Sequence, residues 1–377
     1  MEFAPFELLE WQSSDDGLAP YSLADSGCQP VSINELLAGE SADALLKAPL
    51  HYPPERGPES LRYLISEHHC GTPDDVMVTV GAAEANAVVM ATLVRPGDHV
   101  VTLAPGYRQV WGCAVNRGAE VDEVHCTAAD GWRPDLAALR RAVRPDTRLI
   151  SLTNPNNPTG TILTDDEMAE IVEIASRVGA WILADEVHRG TELLTDLVTP
   201  TFWGRYERVI CVGSLSKAFG MPGLRVGWLV APPAVLPDLW RRHEYATVST
   251  ASVSMTLAEI ALDQDHRYRL LSRYRALIRR SSTWLRDWVD AHPELVSLVT
   301  PEATALGFVR YHLDLPSRDV VVELSRRGGV LVGAGAHFGT EGHFRITHGH
   351  DSSYLSEALD RVSAVLKALS RKAADGK

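Results

Sequence analysis

At 377 residues, the chain is long enough for two domains sharing a large core. Its 45% hydrophobic and 23% charged residues are ordinary for a globular protein, and a net charge of −13 argues against a nucleic-acid or anionic-membrane surface. Five cysteines without CxxC spacing, no basic-then-apolar leader and no stretch approaching ~18 apolar residues predict a reduced, cytoplasmic protein without a membrane span.

Residues 1–48 hold a Trp-containing amphipathic start and then a polar, Gly/Pro-marked loop from Tyr21 to Pro30. Tyr52–Arg62 reads as a turn entering a helix, with Pro58 suited to its first turn. Val76–Val80 is a β-branched strand ending at Gly81-Ala82-Ala83, with helix formers onward to Leu93. Strand, small-residue turn and helix together aim backbone N–H groups and a positive helix end at an anion. His99–Leu103 is another strand, and Tyr107 just beyond it is placed to stack on a flat ring, with Trp111 as the alternative.

Leu149–Leu152 leads into the turn Asn154-Pro155-Asn156-Asn157-Pro158-Thr159-Gly160. Thr164 then caps a helix, with Glu167 three residues on. Ala180–His188 is a buried strand ending in charges, where Asp185 is costly without a cationic partner. Helical periodicity runs through Arg241–Asp263 and Tyr268–His292, and strands are expected at Ala305–His312 and Gly329–Val332. Gly333–Gly339 lacks the continuation of a dinucleotide loop. His343, His348 and His350 read as surface histidines rather than metal ligands, as does the pair His68-His69, and no metal is expected. The polar tail Ser370–Lys377 reads as frayed.

The stretch Gly213–Trp228 carries the strongest chemistry. It follows an apolar strand, Arg208–Val212, and its glycines and proline make a shaped turn. Ser214 and Ser216 flank Lys217, and Arg225 follows. A lone lysine is ordinarily a solvated surface charge, but burial among small residues lowers its pKa and frees the amine for Schiff-base chemistry. Hydroxyls and a guanidinium fork are groups that hold phosphate. An amine nucleophile beside a phosphate cradle is what pyridoxal 5'-phosphate (PLP) requires.

Ser-x-Ser-Lys, with an arginine in Gly-x-Arg-x-Gly, resembles the lysine segment of fold-type I, class I/II aminotransferases, and further segments match that family in order from Tyr52 to Arg345. The resemblance implies an α/β, aspartate-aminotransferase-like fold. Its large domain, residues 49–240, holds a mainly parallel mixed sheet flanked by helices. A smaller α/β domain combines residues 1–48, which cover the substrate, with 241–377. By the same resemblance Lys217 and Asp185 are catalytic, Lys217 holding PLP and Asp185 facing its protonated pyridine nitrogen. Gly81, Ala82, Ala83, Ser214, Ser216 and Arg225 receive the phosphate, and Tyr107 stacks on the ring. Asn157 bonds the phenolic oxygen and lines the substrate. Arg345 grips the substrate carboxylate, Gly27 and its neighbours line the site, and Gly333–Gly339 matches a substrate loop. Tyr52 reaches the partner's cofactor in a homodimer with shared sites.

His188 departs from the pattern. Many aminotransferases have Tyr there, donating to the cofactor's phenolic oxygen. His188 can still bind the cofactor by a hydrogen bond, but Asp-Glu-Val-His resembles some PLP β-lyases, and an imidazole titrates near neutral pH. The leading expectation is amino-acid transamination. The alternative is β-elimination or cyclisation of a hydroxylated, arginine-like amino acid, as in capreomycidine- or streptolidine-forming relatives, or a β-lyase. A non-catalytic regulator on this fold is the third reading, and retention of Lys217, Asp185, Asn157 and Arg225 together argues against it.

Overall fold

The computed structural model describes residues 3–14, 17–37 and 42–375. In chain order its strands are β1 (Tyr21–Ser22), β2 (Val76–Val80), β3 (His99–Ala104), β4 (Glu120–His125), β5 (Thr147–Thr153), β6 (Trp181–Asp185), β7 (Val209–Ser214), β8 (Val226–Val230), β9 (Val296–Leu298), β10 (Leu306–Tyr311), β11 (Val330–Leu331), β12 (Gly333–Ala334) and β13 (His343–Thr347). Seven of them form one sheet in the order β2-β8-β7-β6-β5-β3-β4. Only β8 runs antiparallel to its neighbours.

Helices cover both faces of this sheet, so its central strands read as continuous apolar runs; every residue of β7 is buried. Because β8 is reversed, Arg225 at its start lies on the same edge as the ends of β2, β5, β6 and β7. Ligands of open α/β sheets bind along that carboxyl edge. The helix Gly81–Leu93 begins there directly after β2.

A second, antiparallel sheet has the order β12-β13-β10-β9, and β1 pairs in parallel with β11. The helices Ser317–Gly328 and Ser352–Asp375 pack their apolar faces on this region through Val320, Leu324, Leu355 and Leu359. The 27-residue helix Gln264–Asp290 serves both regions: Leu270 and Leu271 join the core of the large sheet, Leu285 and Trp288 that of the small one. Residues after 240 are therefore divided between the two cores. Met255, Leu257 and Ala258 of Ser252–Leu262 pack in the large-sheet core with Leu61 and Ile65.

Three local expectations need correction. The periodic run Arg241–Asp263 is not one helix but ends at Ala246 and restarts at Ser252. Thr247-Val248-Ser249-Thr250 combines β-branched and hydroxylated residues that favour leaving a helix, and Val248 turns to φ +66°. The C-terminal tail is helical through Asp375 instead of frayed from Ser370; its last two residues lie outside the described ones. Three of the five histidines read as surface groups lie inside: His69, His343 and His348 are buried, with His69 accepting from Trp228 Nε1 at 3.0 Å, while His68 and His350 are half-buried. Among the described residues no cluster of three or more His, Cys, Asp or Glu is placed to hold a metal, and no helix is long and apolar enough to cross a membrane.

Candidate active site

The edge where β5, β6 and β7 end opens on a cavity of about 190 Å³. Its walls bring together Lys217, Asp185, His188, Asn157, Tyr107, Ala82, Ala83, Ser214, Ser216 and Arg225, drawn from segments far apart in the chain. Ser26, Asn86 and Gln109 also line it, with Thr153, Val187 and Pro222.

Lys217 follows β7, and its Nζ donates to Ser26 Oγ at 2.6 Å. Burial, reinforced by the Arg345 guanidinium, brings its pKa down to about 8 against the opposing pull of Asp25 and Asp185. The amine stays mostly protonated near physiological pH, with a neutral minority far larger than an ordinary lysine has. Asp185, the last residue of β6, accepts from Asn86 Nδ2 at 3.0 Å and from the Val187 N–H at 3.2 Å. Burial still raises its pKa, so the carboxylate is under-compensated and suited to a cationic ligand atom.

One end of the cavity is built for an anion. The first-turn N–H groups of Gly81–Leu93 have no intrahelical partners and carry the positive helix end. Gly81 sits at φ +71°, and a Cβ there would come within 2.4 Å of Arg225 Nη2. Gly227 faces it across β8, where a Cβ would meet Gly81 C at 2.4 Å. Two glycines thus let a guanidinium and a strand close on the helix start. Arg225 also donates to Pro222 O at 3.1 Å and reaches Ser216 Oγ at 3.5 Å.

Arg345, on β13, is 1% exposed. It donates to Asn157 Oδ1 at 3.0 Å and to the Ala24 carbonyl, lies 4.7 Å over the Phe338 ring, and keeps Nε unpartnered. Burial lowers its pKa to about 10, leaving it cationic at neutral pH. His188 is 1% exposed with Nδ1 unpartnered. Burial, then the Lys217 and Arg345 charges, push its pKa down to about 3. The expected titration near neutrality is therefore corrected: this imidazole is neutral across the working range.

Other expected residues fall elsewhere. Gly27 does not line the cavity; its carbonyl accepts from Thr347 Oγ1 at 2.7 Å, and the neighbouring Ser26 faces Lys217 instead. Tyr52 is 82% exposed and apart from this chain's own cavity lining. Trp111 lies under the Arg108 guanidinium at 3.9 Å, which leaves Tyr107 as the ring at the cavity wall. Asn86 was not expected at the site, and Ser26 was expected there only as a neighbour of Gly27. Asn86 had one legible signal, a polar residue on an otherwise apolar helix face with Ala85, Val88 and Val89.

Residues 40–362 match the family Aminotransferase class I and II, and the chain belongs to it. It is 29% identical over 317 residues to capreomycidine synthase of Streptomyces vinaceus, covering 83% of this chain and 80% of that one. A PLP-dependent aminotransferase from Streptococcus suis superposes with a TM-score of 0.91 at 32% identity, covering 98% of this chain and 99% of that one. The PLP-dependent cyclase OrfR superposes at 0.88 with 27% identity, covering 98% of each. The protein is an enzyme with the aspartate-aminotransferase-like fold, and its cofactor is PLP. The cavity fits that group: a helix start, two hydroxyls and a guanidinium suit a phosphate, and Asp185 suits a protonated ring nitrogen.

Proposed function

We propose that the protein transaminates an α-amino acid, with Lys217 as amine anchor and general base. The observation that carries this reading is the Lys217 amine and the Asp185 carboxylate in one cavity, with the buried Arg345 guanidinium behind its wall, bonded to Asn157 and close enough to act on Lys217. Arg345 binds the substrate carboxylate as a bidentate fork and so fixes which α-carbon bond faces Lys217. Bound PLP supplies an electron sink for the pair left when the α-proton departs. Lys217, with its pKa lowered to about 8, takes that proton and returns it. Asp185 holds the ring nitrogen protonated. Asn157, already bonded to Arg345, links cofactor and carboxylate recognition. Gly81, Ala82, Ala83, Ser214, Ser216 and Arg225 hold the phosphate, and Tyr107 covers the ring face.

A second reading, β-elimination or cyclisation, is favoured by one observation: a neutral His188 occupies the place of the expected tyrosine, in a chain similar to capreomycidine synthase and OrfR. The two readings share Lys217, Asp185 and Arg345 and differ in the fate of the electron pair. Incubating the PLP-loaded enzyme with single amino acids and no acceptor separates them. Transamination yields one 2-oxo acid and one pyridoxamine phosphate per site. Elimination or cyclisation leaves PLP unchanged and releases a β-substituent. Neither product, with no exchange of the α-hydrogen for deuterium, overturns both.

We further propose a cytoplasmic homodimer. Leu46, Leu50 and Tyr52 are each at least 80% exposed in one segment, and Tyr245 is 97% exposed, which suits burial by a second copy. Tyr52 would then serve the partner's phosphate. Five unpaired cysteines suit a reducing compartment. We take the large domain as residues 49–240 with helix Ser252–Leu262 packed on it, and the small domain as 1–48 with the rest of 241–377.

A further inference from the structure

The segment 21–31 is tied down at almost every step. Tyr21 and Ser22 pair with Val330 and Leu331, and the Leu23 carbonyl accepts from Thr347 N at 2.8 Å. Ala24 O accepts from both Gln12 Nε2, at 2.7 Å, and Arg345 Nη2. Gly27 O accepts from Thr347 Oγ1, and Val31 N donates to Gly220 O at 2.8 Å. The segment therefore bridges the strand that carries Arg345 and the loop that carries Lys217. Ser26 lies between the ties at Ala24 and Gly27, so its position follows from its neighbours. Its hydroxyl stands 2.6 Å from an amine 191 residues away in sequence.

We propose that Ser26 is a catalytic residue, whose hydroxyl oxygen accepts from the Lys217 ammonium and fixes where that nitrogen stands when it moves a proton. The proposal rests on the reading of Lys217 as general base. In that step the Nζ lone pair takes the substrate's α-proton, and the electrons of the broken C–H bond stay with substrate and cofactor. The amine becomes an ammonium, and one of its N–H bonds is the one Ser26 receives. The charges facing Nζ come from every side: Arg345 from β13, Arg225 from the turn before β8, Asp185 from β6 and Asp25 from the segment itself. His188, beside them, is neutral at working pH. Those charges set the mean potential at the nitrogen. Ser26 adds a direction, which none of them supplies by a hydrogen bond to Nζ among the described residues.

The same tie couples the two halves of the site. Arg345 spends one N–H on the Ala24 carbonyl, two residues before Ser26. Engagement of Arg345 by a carboxylate is therefore felt by the backbone that places the Ser26 hydroxyl.

The test reads Lys217 first without cofactor. Competitive acetylation of the cofactor-free protein across pH, followed by peptide mass spectrometry, gives the midpoint at which Lys217 becomes reactive. An acceptor stabilises the charged form, so Ser26→Ala lowers that midpoint by about one pH unit, and Ser26→Thr restores it. Ser26→Cys, close in size with a weak acceptor, serves if the alanine variant folds poorly, and gives the same direction. An unchanged midpoint in the alanine and cysteine variants overturns the proposal. With PLP bound, Ser26→Ala slows exchange of the substrate's α-hydrogen roughly 10–100-fold while a non-reacting carboxylate binds as in wild type. Unchanged exchange overturns the catalytic role. Absence of exchange in the wild type would overturn the underlying reading instead, and the cofactor-free midpoint, which still reports on the Ser26 contact, tells the two failures apart.

Discussion

Asp185 and Glu186 are consecutive, both buried, and their carboxyl groups are shifted in opposite directions. Alternation along the strand end sends one side chain to the cavity and the other beneath it. Asp185 receives an amide and one backbone N–H, and burial wins: its pKa rises. Burial would raise Glu186 as well, but Arg189 at 3.4 Å, His69 at 3.5 Å and the Phe202 N–H at 2.7 Å outweigh it, so its pKa falls. Thr201 adds its hydroxyl to the same carboxylate. A finished ion network lies next to an unfinished one. The difference teaches which carboxylate holds the protein together and which waits for a ligand.

Changes at these two residues should therefore separate cleanly. Asp185→Asn keeps the shape and removes the charge that keeps the ring nitrogen protonated, so turnover falls by about 10³-fold or more while folding survives. Steady-state kinetics with PLP in excess checks this; a loss below tenfold would break the assignment. Glu186→Ala leaves Arg189 and His69 buried without their partner and costs about 3–5 kcal/mol, read by denaturant unfolding of the cofactor-free protein. In the same measurement Asp185→Asn moves the other way, by about +1–2 kcal/mol. The sign follows from linkage. An acid with a raised native pKa is charged first in the unfolded chain, so its cost appears as pH rises through the ordinary carboxylate range and is complete once pH exceeds the raised native pKa. Glu186 contributes the opposite: stability held at neutral pH and lost as pH falls through its lowered pKa.

Much of this contrast was legible in the sequence, and the limit is physical. A charged residue ending an apolar strand marks a costly burial, and Asp185 was found that way. Strand–turn–helix punctuation likewise marked the turns that hold Lys217, Arg225 and Gly81, whereas the turn through Asn157 reads locally only as a loop and was singled out by its resemblance to the family. What lies across the chain was not written there. No pattern near Ser26 announces Lys217, and nothing near His69 announces Glu186, since those contacts depend on how sheet, loops and N-terminal segment close on one another. The interrupted helix at Val248 was hidden for a different reason: periodicity continues through Thr247–Thr250, and only rotamer and backbone preferences oppose it.

His188 extends the comparison to a base, with the smallest expected effect. Its native pKa is about 3 where an ordinary imidazole has 6.5. As pH falls below 6.5, the unfolded chain binds this proton while the native chain does not, so stability is lost through that window and is unaffected above it. His68, His69, His337 and His348 are lowered too and steepen the same limb. His188→Asn removes one proton from the total taken up on unfolding. The slope of stability against pH between 6 and 4 should become shallower by about 1.4 kcal/mol per pH unit, with neutral-pH stability shifted separately. An unchanged slope would mean that His188 is protonated in the native protein. It would then be a third cation beside Lys217 and Arg345, and the electrostatic balance that leaves Asp185 unfinished would have to be redrawn.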